Sequence, residues 1–246
     1  MNSRRTRPLE PPPAFEPLET FRFVFRLEAC LTWLFFAVVF VVATTSLKVP
    51  AFYIRSLFLW VAGVVLFTQY SFVVLEYRSR GYQRVPKLSG SMVFWNNDMR
   101  IWQVVTIVLA AMLLGTLAIS DWSRIVYIVL LSAMLPVAIS GVVLGGTLVV
   151  ALNPLTWLAT VRGFGINRAS VTFASLQAAL MFAMTTLVTQ FAKIDGFHLF
   201  WLVPFTVLLA LTTVRALGVL LNSRSAELGL LVNQSEDTHE QAVREH

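Results

Sequence analysis

Asp195 and His198, three residues apart in a short polar stretch, are the nearest this sequence comes to a reactive pair. A carboxylate beside an imidazole suits acid/base work or two positions of a metal site. An ordinary turn between two helices has the same composition, and that is the reading adopted. Arg215 stands near the end of the last apolar run, close enough to its polar boundary for the stem to snorkel. Contact with a substrate or a lipid phosphate is the sharper alternative. The remaining charges beside apolar runs, Glu28, Glu76 and Asp98, fall at their boundaries. Because burying an ionised group in a bilayer is costly, its presence inside a span marks function. The absence of an Asp or Glu there argues against a proton-coupled pump and leaves a passive pathway open.

Uncharged polar residues are more plentiful. Gln177, Thr185, Thr186, Thr189 and Gln190 share one apolar run, where interhelical hydrogen bonds can satisfy them or a hydrophilic pathway can use them. Gly141 and Gly145 form a GxxxG pattern, and Ala111 and Gly115 repeat its spacing, so both pairs suit close helix packing. Catalytic signatures are missing from the sequence: it has no GxSxG elbow, HExxH, P-loop or paired intramembrane aspartates. Gly163-Phe-Gly165 is too short for a nucleotide loop. Cys30 is the single cysteine, so no internal disulfide forms, and no Cys/His cluster offers zinc a site. No catalytic residues, cofactor or metal are expected.

The elements that position these residues are set by composition. Hydrophobic residues make up 57% of the chain and charged residues 13%, with mean hydropathy +0.73. Soluble domains carry about 25% charged residues. The apolar residues fall in long runs, as a lipid solvent requires. The expected fold is all-α: a polytopic membrane bundle of about six transmembrane helices in three hairpins. Residues 1–28 read as a cytoplasmic arm with a possible interfacial helix, 29–221 as the six-helix domain and 222–246 as a flexible cytoplasmic tail. The spans are placed at about Ala29 to Leu47, Ile54 to Leu75, Ile101 to Ile119, Ile125 to Leu152, Val171 to Ala192 and Leu199 to Leu221. Asn97 or Asp98 is expected to cap the third. Asp121 to Arg124 is read as a tight turn, Pro136 as a kink or tilt in the fourth span, and Asn153 to Ser170 as an interfacial loop.

Charge orients the bundle. Formal net charge is +6, and the longest polar interruption, Glu76 to Arg100, holds Arg78, Arg80, Arg84, Lys87 and Arg100. Only Lys48, Arg55, Arg124 and Lys193 fall on the opposite side. Positive charge is retained in the cytoplasm, so both termini are expected inside. This explains the basic excess without nucleic acid. The expected partners are membrane lipids and other membrane proteins, or a second copy of the chain. Within the basic loop, Arg78, Arg80, Arg84 and Lys87 suit anionic headgroups, while Tyr82, Phe94 and Trp95 suit a protein partner.

The passage Glu76-Tyr-Arg-Ser-Arg-Gly81-Tyr-Gln-Arg-Val-Pro86, followed by a proline-interrupted span ending in Asn153-Pro154, resembles uncharacterised bacterial multi-pass inner-membrane proteins. More loosely it is similar to the Yip-type membrane domain, which implies a role in trafficking or membrane organisation and no catalytic residues. Three functions follow as expectations. The first is a non-catalytic membrane component that recruits partners through its basic loop. The second is a transport or channel subunit with a pathway near spans four and five. The third is a membrane-embedded enzyme.

Overall fold

The computed structural model describes residues 26–79, 102–108, 110, 120–145, 149, 153–191 and 193–223, and the regular structure among them is helical. Among the described residues four helices are long and apolar enough to cross a membrane. In hydrocarbon every backbone amide must be satisfied within its own segment, which selects helix for such runs.

Helix α1, Leu27–Ser46, has 20 residues. At 1.5 Å per residue that is about 30 Å, the thickness of a bilayer's apolar core. A short turn and a 3-10 helix, Pro50–Phe52, lead into α2, Tyr53–Ser79. Helix α3, Asp121–Gly145, runs through Pro136 without a break. Three further helices follow: α4, Pro154–Phe164; α5, Arg168–Gln190; and α6, Gly196–Ser223. Residues 102–108 are also helical, while most of the expected third span and Asn97 and Asp98 lie outside the described residues.

Three sequence expectations are corrected. Residues 121–124 open α3 instead of forming a turn: Ser120 Oγ accepts from the Ser123 N–H (3.1 Å), and Ser123 Oγ from the Ser120 N–H (3.0 Å). That reciprocal cap starts a helix at Asp121. The second helix does not stop at Leu75 but continues to Ser79, taking Glu76 and Arg78 into its last turn. The stretch from Asn153 to Ser170 is not a loop but α4 and the start of α5. Asn153 Oδ1 accepts from the Leu155 N–H (2.9 Å), and Pro154 occupies the first turn, where its missing N–H costs nothing. At the corner Gly165 has φ 59° and ψ −177°, a region essentially closed to residues with a Cβ. Asn167 then caps α5 by accepting from the Ser170 N–H (2.8 Å), while Ser170 Oγ donates to the Phe164 carbonyl (3.0 Å).

Helix α6 is the centre of the bundle and packs against α1, α2 and α5. Phe36 of α1, Tyr70 and Val74 of α2, and Val207 and Leu211 of α6 form one buried cluster. Trp33 adds a hydrogen bond between helices, donating its indole N–H to the Pro204 carbonyl (2.9 Å). Further along, Leu75 of α2 meets Leu217, Leu220 and Leu221 of α6, so these two helices run in the same direction. Phe72 of α2, Val104 of the helical residues 102–108 and Val142 of α3 make a third cluster. Lys48 Nζ donates to the Ile194 carbonyl, placing the α1–α2 and α5–α6 turns at one end of the bundle, the turn end. Ser79, Phe164 and Ser223 belong to the other, the loop end.

The outer surface is apolar. On α1 alone Leu31, Leu34, Phe35, Val38 and Val42 are exposed. In water such a face is a liability, but against lipid tails it is a solvated exterior.

Candidate functional site

Two places gather polar side chains. At the loop end, Arg78 on α2 and Arg215 on α6 are only 8% and 4% exposed, and neither residue is without a partner. Helices α2 and α6 come close here because Gly218, one turn beyond Arg215, has no side chain. A Cβ there would lie 2.5 Å from Arg78 Cβ and 3.1 Å from the Leu75 carbonyl oxygen. Arg215 therefore does not snorkel outward as expected. Arg78, expected in the basic loop as a lipid or partner contact, is instead buried in the helix contact.

Gln69 and Gln177 are also buried. Several buried hydroxyls are spent on their own helices. Thr212 donates to the Leu208 carbonyl (2.8 Å), Thr213 to Leu209 (2.7 Å) and Ser140 to Pro136 (2.7 Å). Such back-bonding lets a hydroxyl sit in a dry interior. Ser71 Oγ and Gln103 Oε1 differ: both are buried and lack a hydrogen-bond partner.

At the turn end, Asp195 caps α6. Its carboxylate accepts from the His198 N–H (2.9 Å) and contacts His198 Nδ1 at 2.6 Å. Both side chains are open to the surroundings, at 66% and 73% exposure. The backbone hydrogen bond from His198, then its ring, hold the Asp195 carboxyl below the usual carboxylate range, and the nearby Lys48 charge adds to this. The spacing noticed in the sequence is thus a helix cap with a carboxylate–imidazole contact on it. No group of three or more His, Cys, Asp or Glu gathers among the described residues.

A carboxyl whose pKa falls on folding stabilises above its unfolded value and loses that effect as pH drops through the folded one. The cap is therefore expected to hold from neutral to mildly acidic pH and to fail only in strong acid. Asp195→Asn keeps an acceptor for the His198 N–H but carries no charge. It should lower the neutral melting temperature slightly, converge with wild type in strong acid and so flatten the acid limb of a stability-against-pH curve; an acid limb identical to wild type would exclude this role.

Beside the cap lies an open groove of roughly 780 Å³ between α5 and α6. His198, Trp201, Leu202 and Phe205, one face of α6, look across at Thr186 of α5. Lys193 and Asp195 stand at its polar end.

The other sequence-chosen residues are distributed as follows. Thr185 and Thr186 donate to the carbonyls of Met181 (2.7 Å) and Phe182 (2.9 Å), so neither hydroxyl is held out for a solute. Thr189 and Gln190 end α5. Gly141 is buried and Gly145 is the last residue of α3. Arg80, Tyr82, Arg84, Lys87, Phe94, Trp95, Ala111 and Gly115 lie outside the described residues. The turn-end groove was not foreseen. Its signal was present in Lys48 and Lys193, basic residues in two short turns between long apolar runs.

Comparison with protein-family models, with characterised proteins and with solved structures gives no match to this chain.

Proposed function

We propose that this chain is a non-catalytic integral membrane component of six spans, both termini cytoplasmic, that packs with or recruits partner membrane proteins through the basic segment following α2. The observation that supports this reading is the closed loop end. Leu75, Phe164, Phe173, Leu217 and Leu220 join α2, α4, α5 and α6 in one dry cluster. The basic segment leaves α2 at Ser79, directly from that packed base. A recognition segment anchored on a rigid base loses less entropy on binding. Helix α4 supports the same end as the cytoplasmic face: Leu155, Leu158 and Val161 are exposed beside Arg162, a pattern suited to headgroup depth. Location in a bacterial inner membrane is proposed on sequence resemblance alone.

Reporter fusions after Gly81 and after Arg244 are expected to read cytoplasmic, and one at Gly196 external; an external signal at Gly81 reverses the orientation. In co-purification from native membranes, Tyr82→Ala or Trp95→Ala should reduce partner recovery at least about thirty-fold, as loss of an interface anchor does. Arg84→Gln should reduce it about five-fold, the effect of one charge near the surface. Arg78 is unsuitable for this comparison because it is buried. Silent aromatic changes, with equal losses on neutralising Arg80, Arg84 or Lys87, would make the segment a lipid-facing charge patch and end the recruitment reading.

A transport or channel subunit is the second reading, supported by Ser71 Oγ and Gln103 Oε1, which are buried without a hydrogen-bond partner. Such atoms gain from a passing water or solute. It is favoured if the aromatic changes are silent while proteoliposomes containing the chain leak a small polar solute that Gln103→Leu retains.

A further inference from the structure

We propose that the turn-end groove between α5 and α6 is a phospholipid site, with the phosphate at Lys193 and His198 and an acyl chain along Trp201, Leu202 and Phe205. This rests on the membrane-spanning part of the proposed function and not on partner recruitment.

The groove changes character along its length. His198, Trp201, Leu202 and Phe205 follow the i, i+3, i+4, i+7 spacing of one helical face, polar at its start and apolar afterwards. The facing Thr186 adds little polarity, since its hydroxyl donates to the Phe182 carbonyl (2.9 Å). Trp201 and Phe205 are 64% and 53% exposed, so this wall faces hydrocarbon when α6 spans a bilayer. Indole rings favour the depth where apolar and wet layers meet. A volume of roughly 780 Å³ is within the size of small-molecule sites, about 300–1,000 Å³. The apolar wall suits an acyl chain better than water.

Charge at the rim turns an apolar groove into a selective one. Asp195 is already committed to the His198 N–H and ring. Lys48 sits behind it, on the Ile194 carbonyl and 5.3 Å from the centre of the Phe191 ring. Lys48 does not line the groove, but its charge reaches Asp195, so two lysines stand against one carboxylate at this end and leave it cationic even with His198 neutral. The Asp195 contact takes His198 Nδ1, which leaves Nε2 as the nitrogen that can meet a ligand. A phosphodiester at headgroup depth complements this arrangement, and Lys193 is exposed to reach it.

The test uses the full chain in a mild detergent and native mass spectrometry, with 16-carbon phosphatidylglycerol as the probe. Wild type should retain one lipid at detergent levels that strip annular lipid. Lys193→Gln should lower its occupancy about five-fold, the effect of one basic group at the surface, and Trp201→Ala should lower it at least as much. Arg55→Gln, on the same side of the bundle but outside the groove, should change nothing. Thermal unfolding of each variant separates lost lipid from lost fold, and His198→Ala, which keeps the capping backbone N–H, provides a second rim variant should Lys193→Gln unfold. Equal retention by Lys193→Gln, His198→Ala and Trp201→Ala overturns the proposal. So does competition by glycerol 3-phosphate as effective as that of the lipid, which would mark a site for a free anion. A dimer broken by Trp201→Ala would assign the groove to a second copy of the chain and likewise overturn it. Recruitment fails separately, through the Tyr82 and Trp95 variants.

Discussion

Gly218→Leu is expected to abolish a folded, monodisperse protein in detergent, and Gly218→Ala to lower its stability by about 1–3 kcal/mol, the cost of overpacking a filled contact. The neighbouring atoms set this expectation. A Cβ at 218 would meet Arg78 Cβ at 2.5 Å and the Leu75 carbonyl at 3.1 Å, and neither is the loose end of a side chain. Relief therefore requires α2 and α6 to separate, which opens the cluster of Leu75, Leu217 and Leu221 and exposes the buried Arg78 and Arg215. Two other glycines make the test graded. At Gly63 a Cβ would meet Val39 Cγ1 at 3.1 Å and the Phe40 ring at 3.3 Å, side-chain atoms that can shift. At Gly196 nothing lies within 4 Å. Melting temperatures should fall in the order Gly196→Ala, Gly63→Ala, Gly218→Ala, with the first near wild type. If Gly218→Ala melts with wild type, the close α2–α6 contact is wrong.

Phe36→Ala should cost about 2–3 kcal/mol, whereas Phe35→Ala, one residue earlier, should cost almost nothing. Phe36 has no exposed surface and Phe35 is 47% exposed. The Phe36 ring stands edge-on to Phe67 at 5.1 Å and lies 5.9 Å from Tyr70, in the cluster that joins α1 to α2 and α6. Phe→Ala in a water-soluble core costs about 3–5 kcal/mol, part of it from transferring the ring out of water. In a bilayer the unpacked ring would still lie in hydrocarbon, so that part falls away. Lost contacts and the cavity remain. Reversible unfolding in mixed micelles measures both variants, and equal losses would show that α1 does not pack through this face.

The helical class, the approximate helix positions and the bundle's apolar exterior were legible in the sequence alone. Long uncharged runs in a lipid solvent have helix as their solution, and neither partners nor distances are needed to see it. The ends were less legible, for local reasons. Leu75 appeared terminal because Glu76 and Arg78 follow it, but the helix continues to Ser79, where Arg78 is shielded by the glycine of another helix. Asn153, Asn167 and Gly165 shape two helices where polarity alone suggested a loop. What only the tertiary structure decided is which residues meet. Gly141 and Gly145 drew attention by their spacing, whereas Gly218, which belongs to no such motif, is where a Cβ would come within 2.5 Å of Arg78 Cβ. Lys48 and Lys193 are 145 positions apart and come to the same end of the bundle because two separate hairpins turn there, Lys193 lining the groove and Lys48 held on the carbonyl of its neighbour Ile194. Periodicity and composition are properties of a single segment, and so the sequence carries them directly. Burial of Arg78 and Arg215 and the cationic rim at Lys193 depend on the relative rotation of helices far apart in the chain, which is set by how all of their side chains pack at once.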